Sequence, residues 1–412
     1  MTAPTARICC LDLDTFFVSV ERLLDPSLEG KPVVVGAMPG KRGVVTACSY
    51  EVREFGVHSG MGIAEAYRLA PDAVYLPGQF GKYSPYAKEV KGVLERFCPV
   101  VRTASIDEFF LDFRGCGRLY HKATDRDADA SIERVVGEMR QAIQDEIGLP
   151  ASAGIGPTRN IAKMASGRAK PAGVKMVRVG EELAFVHPLS VRKYPGIGPV
   201  TEAKLVEQGI ETLADLLDLP PGPLRARFGN LSDSVRRGVL AHTVTKLAER
   251  DRPAFHEYDE AGSTAGSISN ERTFSADVGD TLKVENQLRA LCERVCWRAR
   301  SREISARTVT LRLRWSDFHT ITRSRTLPPT HDENRVFACV KELFRVANTR
   351  GMSIRLVGVG LSNLVGPNDQ LVLPFAEPSR PKVGRALDAV RERFGYDAIR
   401  LGVAGGKSNW LA

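Results

Sequence analysis

Two clusters of carboxylates lie far apart in the chain, and each is set in apolar, strand-like surroundings. The first cluster is Asp12 and Asp14, and the second is Asp107 and Glu108. Burying an unpaired carboxylate is costly, and grouping several of one sign raises that cost further. A pair of divalent cations would offset it, because Mg²⁺ takes oxygen ligands from a few carboxylates and from substrate phosphates. The sequence therefore predicts a site for Mg²⁺ between the two clusters.

The second cluster requires a turn in the chain. Neighbouring side chains of a strand point to opposite faces, so Asp107 and Glu108 converge only where the strand bends. A hairpin corner between strands that end at Ser105 and begin at Phe109 would bring them together, and Asp12 would then face Asp107 across the cations. The alternative is a surface hairpin that is acidic by chance. Aromatic and aliphatic residues around both clusters argue against it.

Length and composition limit the class of protein. The chain has 412 residues, a 43% hydrophobic share and a formal net charge of +9. This length predicts about two to four domains, and the positive charge favours a polyanionic partner such as nucleic acid. No run approaches the ~18 apolar residues of a membrane span, and no signal-peptide core precedes the first strand. A cytoplasmic protein without a membrane partner is expected.

Cysteine spacing predicts no disulfide framework. The eight cysteines lack metal-ligand spacing, and only Cys292 and Cys296 lie one helical turn apart. Zinc at this pair is the alternative, but without a second pair the residues are better interpreted as small buried hydrophobes.

The pattern of apolar residues divides the chain into segments. Residues 1–185 mix strands and helices as an α/β or α+β unit. Short helices punctuated by glycine and proline follow, and then a polar linker. The order β-α-β-β-α-β, a split βαβ sandwich, is predicted for the next unit, in which Val309, Leu311 and Leu313 point inward. A tail with one short helix completes the chain.

Both acidic clusters lie in motifs that resemble the two metal-binding motifs of Y-family (translesion) DNA polymerases, in particular the bacterial DinB type, polymerase IV. The two motifs are Asp12-Leu13-Asp14-Thr15-Phe16-Phe17-Val18-Ser19-Val20-Glu21 and Ser105-Ile106-Asp107-Glu108. Further similar segments follow in the same order, at residues 43–57, 153–156, 161–163 and 170–173. The resemblance extends from about residue 7 to about residue 363.

This resemblance implies an α+β multidomain, right-hand polymerase that acts as a monomer. Its domains would be a palm (1–16 and 81–185), small fingers (17–80), a thumb (186–250), a linker (251–265), a little finger (266–363) and a tail (364–412). The implied activity is template-directed addition of deoxynucleotides to a primer 3′ end, with low fidelity and no proofreading, in DNA damage tolerance.

The resemblance also assigns the metal ligands. Two Mg²⁺ ions would be held by the side chains of Asp12, Asp107 and Glu108 and by the backbone carbonyl of Leu13. Asp14 has no clear ligand role in the family. Capping of the following helix, by Asp14 or Thr15, is the preferred interpretation.

The nucleotide site is implied in the same way. Tyr50 and Arg53 lie three residues apart on a predicted helix, hence on one face, and they resemble fingers residues that hold the triphosphate. Lys163 resembles a palm lysine that reaches the same phosphates. Phe17 matches the steric gate, a ring that leaves no room for a ribose 2′-hydroxyl. Phe16 is assigned to the nucleotide site, and an ordinary core position is its alternative.

Two segments are expected to hold DNA. Gly196 and Gly198 lie in a helix-hairpin-helix motif, where backbone amides approach a DNA phosphate. The unit that follows the linker is basic, and Arg312 and Arg314 share the sheet face opposite its apolar residues. The predicted DNA-binding set is Gly196, Gly198, Arg312, Arg314, Arg323 and Arg325.

The tail contains a peptide that resembles a β sliding clamp-binding motif. It runs from Gln370 to Phe375, and its groove-filling side chains would be Gln370, Leu371, Leu373 and Phe375. A strand that packs on its own domain is the alternative.

Two other functions compete with the polymerase. One is a catalytically inactive DNA-binding adaptor of a mutagenesis complex, which would have no need to retain Asp12, Asp107, Glu108 and Phe17. The other is a two-metal nuclease that docks through the helix-hairpin-helix motif.

Overall fold

The computed structural model describes residues 7–239 except 221, 223–225, 227 and 230, residues 266–366, and residues 381–399. These residues divide into two compact units, one before residue 240 and one after residue 265. No helix among them is long and apolar enough to cross a membrane. The predicted linker (251–265) and the clamp-like peptide (370–375) lie outside the described residues.

The first unit mixes strands and helices, as predicted. Its strands are β1 (Ile8–Leu13), β2 (Val33–Gly36), β3 (Val45–Cys48), β4 (Val74–Pro77), β5 (Val101–Thr103), β6 (Glu108–Asp112), β7 (Ala151–Gly156) and β8 (Val174–Met176). Its helices are α1 (Phe16–Leu24), α2 (Tyr50–Arg53), α3 (Ile63–Leu69), α4 (Phe80–Phe97), α5 (Ala128–Ile147), α6 (Arg159–Ala169), α7 (Glu182–Val186), α8 (Pro199–Val206), α9 (Leu213–Asp218) and α10 (Leu231–Val239).

A five-stranded sheet in the order β5-β6-β1-β7-β8 forms the centre of this unit, with β1 between two antiparallel neighbours. Side chains of β1 alternate between its faces. Cys9, Leu11 and Leu13 join the core that includes buried residues of α4 and α5. Ile8 and Cys10 pack instead with Phe110 and Ala162 of α6. Asp12 continues this second set, so the period-2 pattern directs it to the face covered by α6.

Helix α6 lies very close to the sheet at β7. A Cβ atom added at Gly154 would lie 2.1 Å from the Ala162 carbonyl oxygen and 2.0 Å from the Ser166 backbone nitrogen. Only glycine therefore permits this approach, which places Lys163 of α6 above the end of the sheet.

A smaller sheet in the order β3-β2-β4 supports helices α2 and α3. Its core joins Val34 and Val45 of the sheet to Val52 of α2 and Ile63 of α3. Helix α2 has only four residues, so this packing, rather than intrinsic helix stability, holds it in place.

Helices α7 to α10 form a third core, with Leu205, Leu213 and Val235 fully buried. The predicted helix-hairpin-helix motif with Gly196 and Gly198 leads into α8, and the element directly before it is a 3₁₀ turn at Val191–Lys193 rather than an α-helix.

The second unit has four strands and three α-helices among its described residues. They are β9 (Ser267–Val278), α11 (Thr281–Arg300), β10 (Ser305–Trp315), β11 (Thr320–Thr330), α12 (Glu333–Ala347), β12 (Ile354–Val365) and α13 (Pro381–Phe394). The sheet order is β11-β10-β12-β9 with every pairing antiparallel. Strands β9 and β10 therefore run parallel with β12 between them, which confirms the predicted split βαβ arrangement.

Candidate active site

The carboxylates of both clusters meet at one edge of the five-stranded sheet. Asp12 of β1 lies opposite Glu108 of β6 in the strand register, and the Leu13 backbone N–H donates to the Asp107 carbonyl at 2.9 Å. Residues 104–107 form the corner between β5 and β6. The predicted hairpin corner is confirmed, although β5 ends at Thr103 rather than Ser105 and β6 begins at Glu108 rather than Phe109.

Two lysines supply positive charge to these carboxylates. Lys163 of α6 forms an ion pair with Glu108, and Lys170, just after α6, forms one with Asp12. Burial disfavours a charged Lys163, but the hydrogen bond to Glu108 and the charge of that carboxylate outweigh it and raise the lysine pKa. The sequence prediction included Lys170 only as part of a similar segment and gave it no role. Its side chain folds back on Asp12 across 158 residues of sequence, a contact that no local pattern indicates.

The donor set fits a hard divalent cation. Burial raises the pKa of Asp12; Lys170 opposes this rise, and the nearby negative charges of Asp107 and Glu108 add to it. Three carboxylates that repel one another in this way are the oxygen donors that Mg²⁺ prefers. No three such side chains in the described part of the chain form a ready-made cage, and Asp12 and Glu108 face lysines instead. Both ammonium groups would have to turn away for a cation to reach these oxygens.

Asp14 is not a helix cap, so that prediction was wrong. Thr15 is the residue at the N-cap of α1, with φ 45° and no side-chain capping hydrogen bond. The Asp14 side chain is 1% exposed and accepts three hydrogen bonds, from the hydroxyls of Tyr50 (3.1 Å) and Ser152 (2.7 Å) and from the backbone N–H of Ala172 (2.8 Å). A buried carboxylate needs such donors, and here they come from distant parts of the chain.

The two candidate triphosphate residues on α2, Tyr50 and Arg53, lie side by side. The Arg53 guanidinium lies 4.9 Å from the centre of the Tyr50 ring, within cation–π distance. Burial raises the Tyr50 pKa, and the charge and hydrogen bond of Asp14 raise it further. The phenol therefore stays protonated and donates to Asp14. The structure brings the Tyr50 hydroxyl to Asp14, whereas the Lys163 ammonium group contacts Glu108.

Phe17 lies in an aromatic cluster with Phe80 and Tyr83. Its ring stacks on Tyr83 with centroids 4.4 Å apart and meets Phe80 edge-on at 5.5 Å. Tyr83 is fully buried and donates to the buried carboxylate of Glu21 at 2.6 Å. Phe16 is 3% exposed and packs in the core, which leaves only its backbone for the nucleotide contact that the sequence predicted.

The predicted DNA-binding glycines lie at the end of the hairpin before α8. Gly196 has φ 99°, in the left-handed region, and Gly198 is the residue at the N-cap of α8. A Cβ at either position would meet no heavy atom within 4 Å, so the backbone here is open to a large ligand. Tyr194 ties the hairpin to α6, because its hydroxyl accepts from Asn160 at 2.7 Å.

The strand register splits the four predicted DNA-binding arginines between two sheet faces. Arg312 and Arg314 of β10 lie on the outer face, and Arg314 donates to the Thr320 hydroxyl at 2.8 Å. Arg323 of β11 lies opposite the buried Leu311, and Arg325 lies opposite the next buried position of β10. Residues paired in this way share a face, so Arg323 and Arg325 belong to the helix side. The other predicted binding set, Gln370, Leu371, Leu373 and Phe375, lies outside the described residues.

Comparison with known proteins identifies the family. The sequence profile of the impB/mucB/samB family matches residues 11–167, and that of the family's C-terminal domain matches residues 265–373. DNA polymerase IV of Dehalococcoides mccartyi (strain CBDB1) is 35% identical over 96% of this chain and 97% of that protein. DNA polymerase IV of Caulobacter vibrioides is also 35% identical, over 97% of this chain and 94% of that protein.

Solved structures show the same fold. A chimeric Y-family DNA polymerase matches with a TM-score of 0.71 at 23% identity, covering 87% of this chain and 99% of that one. DinB from Sulfolobus solfataricus matches over the same shares with a TM-score of 0.54. The near-complete coverage of the relatives, together with the carboxylates at the sheet edge, leads to one conclusion: this chain belongs to the Y-family DNA polymerases and is a DNA-directed DNA polymerase of the translesion type.

Proposed function

We propose that this polymerase uses two Mg²⁺ ions, held by the side chains of Asp12, Asp107 and Glu108 and by the Leu13 carbonyl. The observation that carries the proposal is the pairing of Asp12 with Glu108 across β1 and β6, at the corner that contains Asp107. When bound, the ions lower the pKa of the primer 3′-hydroxyl and neutralise the triphosphate and the leaving pyrophosphate.

Residues of α2 and α6 are proposed to hold the triphosphate. Arg53 can bind phosphate oxygens through two N–H groups, and its charge does not titrate away. Tyr50 lies beside it on the same helix. The Lys163 side chain is 45% exposed, so its ammonium group is accessible to a phosphate as well as to Glu108. Phe17, supported by Tyr83, would lie beneath the incoming sugar as the steric gate.

The remaining assignments concern partners and domains. Primer–template DNA would contact the amides at Gly196 and Gly198 and the arginines of the second unit. Residues 370–375 would bind a β sliding clamp. The enzyme would act as a monomer in the cytoplasm. The palm, fingers, thumb and little finger would have the limits that the sequence predicts. The eight cysteines are all unpaired thiols, as expected in a reducing compartment.

A primer-extension assay on an undamaged template tests the proposal. The unmodified protein should extend the primer only when both Mg²⁺ and dNTPs are present, and Asp107→Ala should abolish extension while DNA binding remains. Asp145→Ala is the matched control, because this aspartate is exposed on α5 outside the site. Its extension should equal that of the unmodified protein.

Two outcomes would contradict the proposal in different ways. No Mg²⁺-dependent extension by the unmodified protein, with DNA binding intact, would favour the inactive adaptor. Shortening of end-labelled DNA in the absence of dNTPs would favour the two-metal nuclease.

A further inference from the structure

The Asp14 carboxylate joins three separate parts of the first unit. Its Oδ1 accepts from the Tyr50 hydroxyl of α2, and its Oδ2 accepts from Ser152 of β7 and from the backbone of Ala172, which follows α6. The Lys170 ammonium lies 3.8 Å from Oδ1. The three hydrogen bonds, which come from three different parts of the chain, fix the Asp14 side chain in one position.

Asp14 is less accessible to a metal ion than Asp12. Its side chain is 1% exposed, whereas 23% of the Asp12 side chain is exposed. Both Asp14 oxygens already accept hydrogen bonds. The donors are Tyr50 on α2, Ser152 on β7 and the backbone N–H of Ala172. A cation at Asp12 would displace Lys170, but the three hydrogen bonds to Asp14 would remain.

Helix α2 depends on contacts of this kind. It spans only Tyr50–Arg53, and its N-cap residue, Ser49, makes no side-chain capping hydrogen bond. An isolated helix of this length is not stable in water. The buried Val52 holds one side of the helix, and the Tyr50 hydroxyl holds the other side through Asp14.

We propose that Asp14 is a positioning residue that fixes Tyr50, and through it Arg53, before the nucleotide arrives. The Arg53 guanidinium lies against the Tyr50 ring, so the tether sets the place of both groups relative to the palm. A site ordered in advance saves the free energy of ordering these side chains on binding. This inference rests on the proposed role of Tyr50 and Arg53 in holding the triphosphate.

The test is a double-mutant cycle with Asp14→Asn and Tyr50→Phe, measured by single-turnover incorporation. A hydrogen bond to a buried charge contributes enough that each variant should weaken the apparent dNTP affinity by about tenfold. Because both changes remove the same link, the double variant should lose little more than either single variant. DNA affinity should be unchanged in all three. Tyr67→Phe is the matched control, because this tyrosine is 46% exposed on α3.

Hydrogen exchange gives a second measurement that does not require Asp14→Asn to fold. In the DNA-free and nucleotide-free protein, Tyr50→Phe should speed exchange of the α2 amides, whereas Tyr67→Phe should not. Unchanged α2 exchange, or full additivity in the cycle, would overturn the inference.

Arg53→Ala separates the two levels of the proposal. If it weakens dNTP binding and Asp14→Asn does not, only the positioning role fails. If it leaves dNTP affinity unchanged, the triphosphate assignment fails, and the positioning role fails with it.

Discussion

The ring of Phe17 is held from two sides, and this restricts where it can lie. Tyr83 stacks on one face, and Phe80 meets the ring edge-on. Tyr83 cannot shift easily, because its hydroxyl donates to the buried Glu21 and accepts from the Gln79 backbone N–H. A gate that discriminates by steric clash needs such a rigid support, since a ring free to move would make room for a 2′-hydroxyl.

Removing the Phe17 ring should therefore relax sugar selection. Phe17→Ala is expected to lower the preference for dNTP over rNTP by about ten- to two-hundredfold, the range of a lost steric contact in a pocket. The measurement is the ratio of kcat/KM for a dNTP and its matching rNTP in single-nucleotide incorporation. Phe55→Ala is the control, because Phe55 is 54% exposed, beyond α2. An unchanged ratio in Phe17→Ala would remove this residue as the gate.

Among the elements, α5 shows how charged groups hold the first turn of a helix. Asp127 is its N-cap and accepts from the Ala130 backbone N–H at 2.8 Å and from Arg178 at 2.9 Å. The hydrogen bond from Arg178, followed by that from Ala130, lowers the Asp127 pKa to about 2 from an ordinary 3.8. The folded state therefore favours the charged carboxylate more than the unfolded state does.

This difference predicts a pH-dependent stability. The contribution of Asp127 is fully present above its unfolded pKa and is lost as the pH falls through the folded value near 2. Asp127→Asn keeps a good N-cap but removes the charge. It should lower the free energy of unfolding by less than about 1 kcal/mol at neutral pH, because the pair is partly exposed.

Thermal unfolding of both proteins from about pH 6 down to about pH 2 provides the check. The difference in Tm should shrink as the pH falls, whereas the control Asp145→Asn, at an exposed position of the same helix, should differ little from the unmodified protein throughout. A constant Tm difference for Asp127→Asn would contradict the assignment.

Helix α13 of the second unit is anchored by buried ion pairs. Arg391 is fully buried and donates to Glu293 of α11 at 2.9 Å, and Arg300 of α11 donates to both oxygens of Asp388. Buried pairs of this kind fix one arrangement, because each charge left alone would be costly. The tail helix is therefore an integral part of this unit.

Arg391→Met should destabilise the second unit by up to about 3–5 kcal/mol, because it breaks the buried ion pair with Glu293. Chemical denaturation measures the loss of stability. Hydrogen exchange in the native protein should become faster in residues 381–399 before it does so in the rest of the unit. Arg393→Met, exposed on the same helix, is the matched control. Equal denaturation midpoints for the two variants would show that α13 is held by other contacts.

Local patterns predicted the elements better than they predicted the site. Val309, Leu311 and Leu313 alternate with polar residues, and this period is enough to predict β10 and its buried face. Asp14 shows the limit of such reasoning. Thr15 and Asp14 precede a helix, so capping is the expected local role, whereas the real partners of Asp14 lie 36 to 158 residues away.

The register of β10 and β11 marks the same limit. Composition indicates a basic segment but does not state which residue of one strand lies opposite which residue of the next. One step in register moves every side chain to the other face. In the structure Arg325 lies opposite Val309, on the buried face of β10. The sequence alone could not show whether Arg325 lies on this face or on the outer face with Arg314.

At the scale of the whole molecule, the net charge of +9 favours binding to a polyanion without regard to sequence. The charge is not equally available everywhere. Arg312 on the outer face is paired with Glu271 at 2.7 Å. Arg314, on the same face, donates to the neutral hydroxyl of Thr320 and has no acidic partner within the described part of the chain. The outer face of β10 therefore offers a phosphate the guanidinium of Arg314 more readily than that of Arg312.

Salt dependence of DNA binding distinguishes the two faces of this sheet. Each phosphate contact adds about 0.9 to the slope of log affinity against log salt concentration, because neutralising a phosphate releases counterions. If the outer face contacts the duplex, Arg314→Ala should reduce the slope by about this amount, and Arg325→Ala, which removes the same charge from the helix side, should reduce it less. Fluorescence anisotropy with a primer–template duplex across a salt series measures both. Equal reductions of the slope in Arg314→Ala and Arg325→Ala would mean that the duplex also contacts the helix side of the edge strand β11. Arginines on both faces of the sheet would then bind DNA.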